Sequence, residues 1–130
     1  MKYNVIVIYL ISLAVFLVLD SLWLGKISPK LYKYYLKDIL ASKPNFKAAT
    51  LFYLLFIFGF DFFVIYPNKS AVFSKYLLSG AMYGLMTYAT FDLTSQAILK
   101  KWSTVITFVD MSWGVIITSI TTIVMMGFFR

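Results

Sequence analysis

Tyr88-Ala89-Thr90-Phe91-Asp92-Leu93-Thr94-Ser95-Gln96 closes a long apolar run. Whether that run lies in water or in lipid decides the fold. The chain is 62% hydrophobic and only 13% charged, too little charge to cover a soluble domain of 130 residues. The apolar residues come in runs of about 20, the length that crosses a hydrocarbon core about 30 Å thick. The sequence is therefore read as an all-α integral membrane protein, which places Asp92 in hydrocarbon. A charged side chain at the bilayer centre costs roughly 2.5–3.5 kcal/mol on insertion scales. Partners must offset that cost, and Asp20 and Asp110, each on another apolar run, are the nearest candidates.

Working outward, four membrane helices are expected, at about 3–24, 46–66, 71–99 and 104–129. Gly25 is expected to end the first. Ser28-Pro29 fits an N-cap followed by proline at the first helical position. A short amphipathic helix is expected at about 29–41, lying in the membrane interface. Lys26, Lys30, Lys33 and Lys37 recur on one of its faces, beside an apolar face of Ile27, Leu31, Tyr35 and Ile39. Lys43-Pro44-Asn45 breaks that helix, and Pro67-Asn68-Lys69-Ser70 and Lys100-Lys101-Trp102-Ser103 are short connections. Short connections make consecutive helices antiparallel neighbours, so the expected architecture is a four-transmembrane-helix up-down bundle. The first run continues through Leu22-Trp23-Leu24 with no small-x-small cleavage site, so it is expected to be retained. Residues 1–130 then form a single membrane domain.

Lysine counting orients the bundle. Lys2, Lys69, Lys75 and Arg130 fall on one side, and Lys26, Lys30, Lys33, Lys37, Lys43, Lys47, Lys100 and Lys101 on the other. Positive charge marks the cytoplasmic side. The expected location is a bacterial inner membrane, with several passes and both termini in the periplasm. Trp23 and Trp102 then fall at the cytoplasmic boundary, as an aromatic belt would. The net charge of +7 comes with no long basic block and no RNA-binding motif, so nucleic acid is not an expected partner. The lysines instead face anionic lipid headgroups, Lys26, Lys30, Lys33 and Lys37 above all.

The chain has no cysteine and no histidine. Disulfides and thiolate chemistry are excluded, and the missing histidine argues against haem, zinc and Ser-His-Asp readings. Four acidic residues fall one per helix: Asp20, Asp61, Asp92 and Asp110. Asp20 lies six residues before Lys26, Asp92 eight before Lys100, and Asp110 nine after Lys101. At a rise of about 1.5 Å per residue, all three lie roughly 9–13 Å inside the cytoplasmic edge, in one layer. Asp61 is expected near the opposite face as a water-facing helix-end residue. Gly84, Tyr88, Asp92 and Gln96 share a face of the third helix, and Trp23 and Trp113 each lie three residues after an aspartate. The candidate ligand-binding residues are thus Asp20, Trp23, Tyr88, Asp92, Gln96, Asp110 and Trp113. With no basic residue at that depth, unless Lys26 or Lys100 bends back to reach them, the carboxylates must share protons, accept hydrogen bonds from indole N–H and tyrosine O–H, or bind a cation. Asp20, Asp92 and Asp110 are the candidate metal ligands, with Mg²⁺ or Mn²⁺ suited to oxygen donors. No cofactor and no catalytic residue is assigned. The short pattern Asp20-x-x-Trp23 and Asp110-x-x-Trp113 reads as a shared local geometry rather than a duplication. Gly80-x-x-x-Gly84 permits close backbone approach, by a neighbouring helix or by a second copy in a homodimer.

Several blocks together carry a family resemblance: Leu19-Asp20-Ser21-Leu22-Trp23-Leu24-Gly25, Phe52-Tyr53-Leu54-Leu55, Pro67, Gly80, Gly84, Tyr88 to Ser95, Trp102, and Val109-Asp110-Met111-Ser112-Trp113-Gly114. On these the chain resembles the DUF2177 family of small bacterial membrane proteins over nearly its whole length. Phe91 and Ser95 stand where that family usually has tyrosine and asparagine. The resemblance implies a four-helix inner-membrane protein and supplies no activity.

Three functions compete. The acidic and aromatic layer binds or transports a cation, a proton, or an amine-bearing lipid or metabolite. Alternatively the chain is an accessory subunit of a larger membrane or lipid-modifying enzyme. In a third reading it is itself a metal-assisted lipid enzyme, although no nucleophile elbow or phosphate loop is present. Binding or transport ranks first, and an enzyme last.

Overall fold

A computed structural model describes residues 4–129; Lys2, Arg130 and the expected helix start at Tyr3 lie outside them. The described chain is helical, with no strand among the described residues. α1 spans Val5–Leu22, capped by Asn4, whose side chain accepts the Ile6 N–H at 2.7 Å. α2 is Ser28–Tyr35, α3 Phe46–Phe60, α4 the three residues Tyr66–Asn68, α5 Phe73–Ile98 and α6 Thr104–Phe129. Asn45 caps α3 by accepting the Ala48 N–H at 3.1 Å. Among the described residues, three helical stretches are long and apolar enough to cross a membrane: Val5–Tyr35, Phe46–Asn68 and Thr104–Phe129.

The first of these corrects the expected break at Gly25. Helix continues from α1 into α2 through a π-helical turn, Trp23–Ile27, in which the Ser28 N–H reaches back to the Trp23 carbonyl. A second π turn, Asp61–Ile65, joins α3 to α4, with the Tyr66 N–H on the Asp61 carbonyl. Each turn ends two residues before a proline, Pro29 or Pro67. Proline lacks an N–H and its ring collides with the carbonyl four residues back. Inserting one residue per turn moves that carbonyl away, so the helix widens rather than stops. Ser28 consequently makes no side-chain cap, contrary to the N-cap expectation. The helix expected to run to residue 41 stops at Tyr35. Leu36 leaves helical geometry and turns inward, and its carbonyl takes the N–H groups of Ile39 and Leu40 at 3.0 and 2.8 Å.

The most extensive packing joins α5 to α6, and α1 lies against both α6 and α3. Gly80 and Gly84 face α6. A Cβ on Gly80 would collide with the Thr122 hydroxyl, and one on Gly84 with the Gly114 carbonyl and the Thr118 hydroxyl. The glycine pair is therefore spent on packing inside the bundle. Thr118 and Thr122 satisfy their own hydroxyls on α6 carbonyls at 2.8 and 2.6 Å, which lets them sit in the seam. One apolar cluster, with Ile8, Phe60, Val64, Tyr76 and Met125, fills the end near Asn68. A second, of Phe16, Phe56, Ile57 and Ile117, fills the middle. Past it, towards the Phe46 end, α5 and α3 are bridged by aromatic rings rather than by close backbone packing. That divergence opens the space described next.

Candidate functional site

A cavity of about 350 Å³ lies between α1, α2, α3, α5 and α6. Its polar surface is made by Asp20, Asp110, Tyr32, Tyr88 and the indoles of Trp23 and Trp113. Leu24, Phe52 and Phe91 line it from exposed positions on the outer surface of the bundle, so the mouth opens sideways between apolar residues.

The two aspartates are held in a crossed arrangement. Trp113, on the helix of Asp110, donates its indole N–H to Asp20 at 3.1 Å. Trp23, on the helix of Asp20, donates to the Tyr32 hydroxyl at 3.3 Å, and Tyr32 donates to Asp110. Tyr53 of α3 donates to the second oxygen of Asp20. Between them the two indoles stack, with ring centroids 4.8 Å apart and planes 8° from parallel. The repeated Asp-x-x-Trp pattern thus has a structural meaning. Three residues along a helix point to nearly the same side, so each helix presents an acid and an indole together: Trp113 serves Asp20 directly, and Trp23 serves Asp110 through Tyr32. Trp23 is only 8% exposed and belongs to this core, not to a lipid-facing belt as expected.

Asp92 takes a different place. It is fully buried behind the cavity, and neither of its oxygens receives a hydrogen bond from an N–H or hydroxyl among the described residues. The group it faces is the Asp110 carboxyl, within hydrogen-bonding reach. Tyr88 lines the cavity with its ring set over Gly114, where a Cβ would collide with it, and edge-on to Phe56 at 6.2 Å.

Gln96 is not brought to the acids. Its amide donates to Thr104 at 2.9 Å and accepts from Thr107 at 2.7 Å, and Thr107 in turn takes the Trp102 indole N–H at 2.9 Å. It ties the end of α5 to the start of α6. One turn of helix separates Gln96 from Asp92, and the chain reversal at 99–103 gave its amide nearer partners. The three candidate metal ligands do not converge on one point either. Among the described residues no three acidic side chains are placed to hold a metal ion. Asp20 is drawn to Tyr53 and Trp113, while Asp92 and Asp110 face each other.

Asp61 also differs from its expected water-facing position. It is 2% exposed and accepts the Ser12 hydroxyl at 3.0 Å. It opens the second π turn, on the face of the helix that packs against α1. Tyr32 and Tyr53 were absent from the candidate residues. Tyr53 belongs to the motif block Phe52-Tyr53-Leu54-Leu55, and its phenol, inside an apolar helix, is a signal in the sequence. Tyr32 is not, because its placement depends on the π turn.

No curated protein and no solved structure matches the chain. The family described as "Predicted membrane protein (DUF2177)" matches residues 5–127, in agreement with the resemblance carried by the motif blocks, and the chain belongs to that family.

Proposed function

We propose that this is a membrane protein whose cavity binds the cationic head of an amphipathic molecule, an amine or quaternary ammonium on an apolar tail. One observation carries the reading. Two carboxyl groups and a face of aromatic rings meet in a cavity whose lining contains no basic residue and whose mouth is apolar. An uncompensated acidic site favours a cation, and ring faces attract ammonium groups by roughly 0.5–2 kcal/mol each. Leu24, Phe52 and Phe91 suit the tail of a ligand arriving from lipid.

The same reading has four crossing helices. α5, at 26 residues, is as long as α6 and packs against it; its lower apolarity comes from residues such as Gly80, Gly84 and Asp92, which are buried inside the bundle. The exposed Lys26, Lys30, Lys33 and Lys37 then meet anionic headgroups on the cytoplasmic side of a bacterial inner membrane, with both termini in the periplasm. Release of the ligand to the other side would make the protein a transporter.

Binding of dodecyltrimethylammonium to protein in nanodiscs tests the reading, with quenching of the stacked indoles as the signal. Asp110→Asn is expected to weaken binding about tenfold or more, the loss of a charge-assisted contact. Asp38→Asn, outside the cavity and half-exposed, is the control and is expected to bind as wild type. Equal affinity in the wild type and Asp110→Asn would end the cation reading.

A further inference from the structure

We propose that the buried Asp92–Asp110 pair holds one proton, and that seating a cation against Asp110 expels it, so that binding exchanges a proton for the cation. This rests on the cation-binding reading above and says how that site is regulated. The geometry assigns the proton. The Trp23 indole can only donate, so the Tyr32 oxygen accepts from it and the Tyr32 O–H is directed to Asp110. Asp110 is therefore already an acceptor. Asp92 is fully buried with both oxygens unserved by any N–H or hydroxyl among the described residues, and it faces Asp110. Two carboxyl groups can bond to each other only through a proton, and a buried carboxylate without a donor is costly. A carboxylic O–H on Asp92, donated to Asp110, answers both constraints.

The ionisable groups that face the pair are Asp20 from α1, Tyr32 from α2 and Tyr88 from α5, and Tyr53 of α3 stands behind Asp20. None is basic. Asp20 already accepts from Trp113 and Tyr53 through both oxygens. The pair is then the place where an arriving charge is balanced. Before binding, the pair carries one proton and one negative charge. When the cation seats, the Asp92 O–H bond breaks with its electrons left on the carboxylate, and the proton passes by way of Asp110 to water in the cavity. The net charge of the pair and its occupant is unchanged, which keeps the exchange inexpensive inside a membrane.

Dodecyltrimethylammonium has no proton of its own, so it separates the two events. Wild-type protein in nanodiscs, in weak buffer with a pH dye, is expected to release about one proton per cation bound, and its affinity to rise up to about tenfold per pH unit. Infrared difference spectra are expected to lose the C=O stretch of a protonated carboxylic acid on binding. In Asp92→Asn an amide N–H replaces the O–H, so the bond to Asp110 survives. That variant is expected to release no proton, and its binding to be independent of pH. If Asp92→Asn does not fold, the wild-type infrared measurement alone decides. Binding without proton release, or with an unchanged carboxylic band, overturns this inference and leaves the cation site standing. Failure of the wild type to bind the probe overturns both.

Discussion

Asp20 shows how a carboxyl group is kept inside the bundle. It receives one indole N–H and one phenol O–H, so both oxygens are served without a basic partner. Tyr53→Phe removes one donor while keeping a ring against Phe16, whose centroid lies 6.0 Å away. The expected loss is about 1 kcal/mol of stability, read as a lowered melting temperature in detergent. The stacked indoles offer a second readout. Two parallel rings at 4.8 Å couple their electronic transitions, so wild-type protein is expected to show a paired positive and negative band in its circular dichroism. Trp23→Phe is expected to abolish that couplet, and its persistence would mean that the Trp23–Trp113 stack is not its source.

At the scale of single helices, the first π turn decides which side chain meets Asp110. Deleting Gly25 would return Trp23–Ile27 to α-helix and rotate α2 by about 100° relative to α1. Tyr32 would then leave Asp110. The expected result is weakened binding of the ammonium probe, whereas Gly25→Ala, which keeps the turn and meets no atom at its Cβ, is expected to bind as wild type. The glycines of the α5–α6 seam behave in the opposite way. Gly84→Ala drives a methyl group into the backbone of Gly114, which cannot rotate aside. It is expected to cost roughly 1–3 kcal/mol, whereas Gly127→Ala, with open space around it, is expected to be neutral or slightly stabilising. Thermal unfolding of the two variants side by side checks the contrast.

For the whole molecule, one contact fixes which connections lie together. Lys101, between α5 and α6, pairs with Asp38, between α2 and α3, at 3.5 Å. Both side chains are more than half exposed, so the pair adds little stability. Its value is topological. A chain without cysteine accepts single cysteines cleanly. Asp38→Cys and Lys101→Cys are expected to react with an impermeant maleimide from the same side of the membrane, and Lys69→Cys from the other. Labelling of all three from one side would contradict the crossing pattern proposed above.

The apolar runs, the breaks at Asn45 and Ser70, and the membrane solvent were legible in the residues themselves, because length and hydropathy are local properties. Asp20, Asp110, Trp23 and Trp113 were also within reach, since helical spacing and depth arithmetic place acids at one level on different helices. Their partners were not. Tyr32 reaches Asp110 only because a π turn rotates α2, and proline at 29 reads equally well as a helix start. Gln96 shares a helical face with Asp92, yet the reversal at 99–103 gave it Thr104 and Thr107 instead. Asp61 sat close to a predicted helix end, and only the packing of its helix against α1 brought it to Ser12. Local sequence thus determined which stretches are helical and apolar enough for a membrane. The rotation of each helix about its own axis decided which polar groups face one another, and that rotation is set by packing between helices, which no single segment encodes.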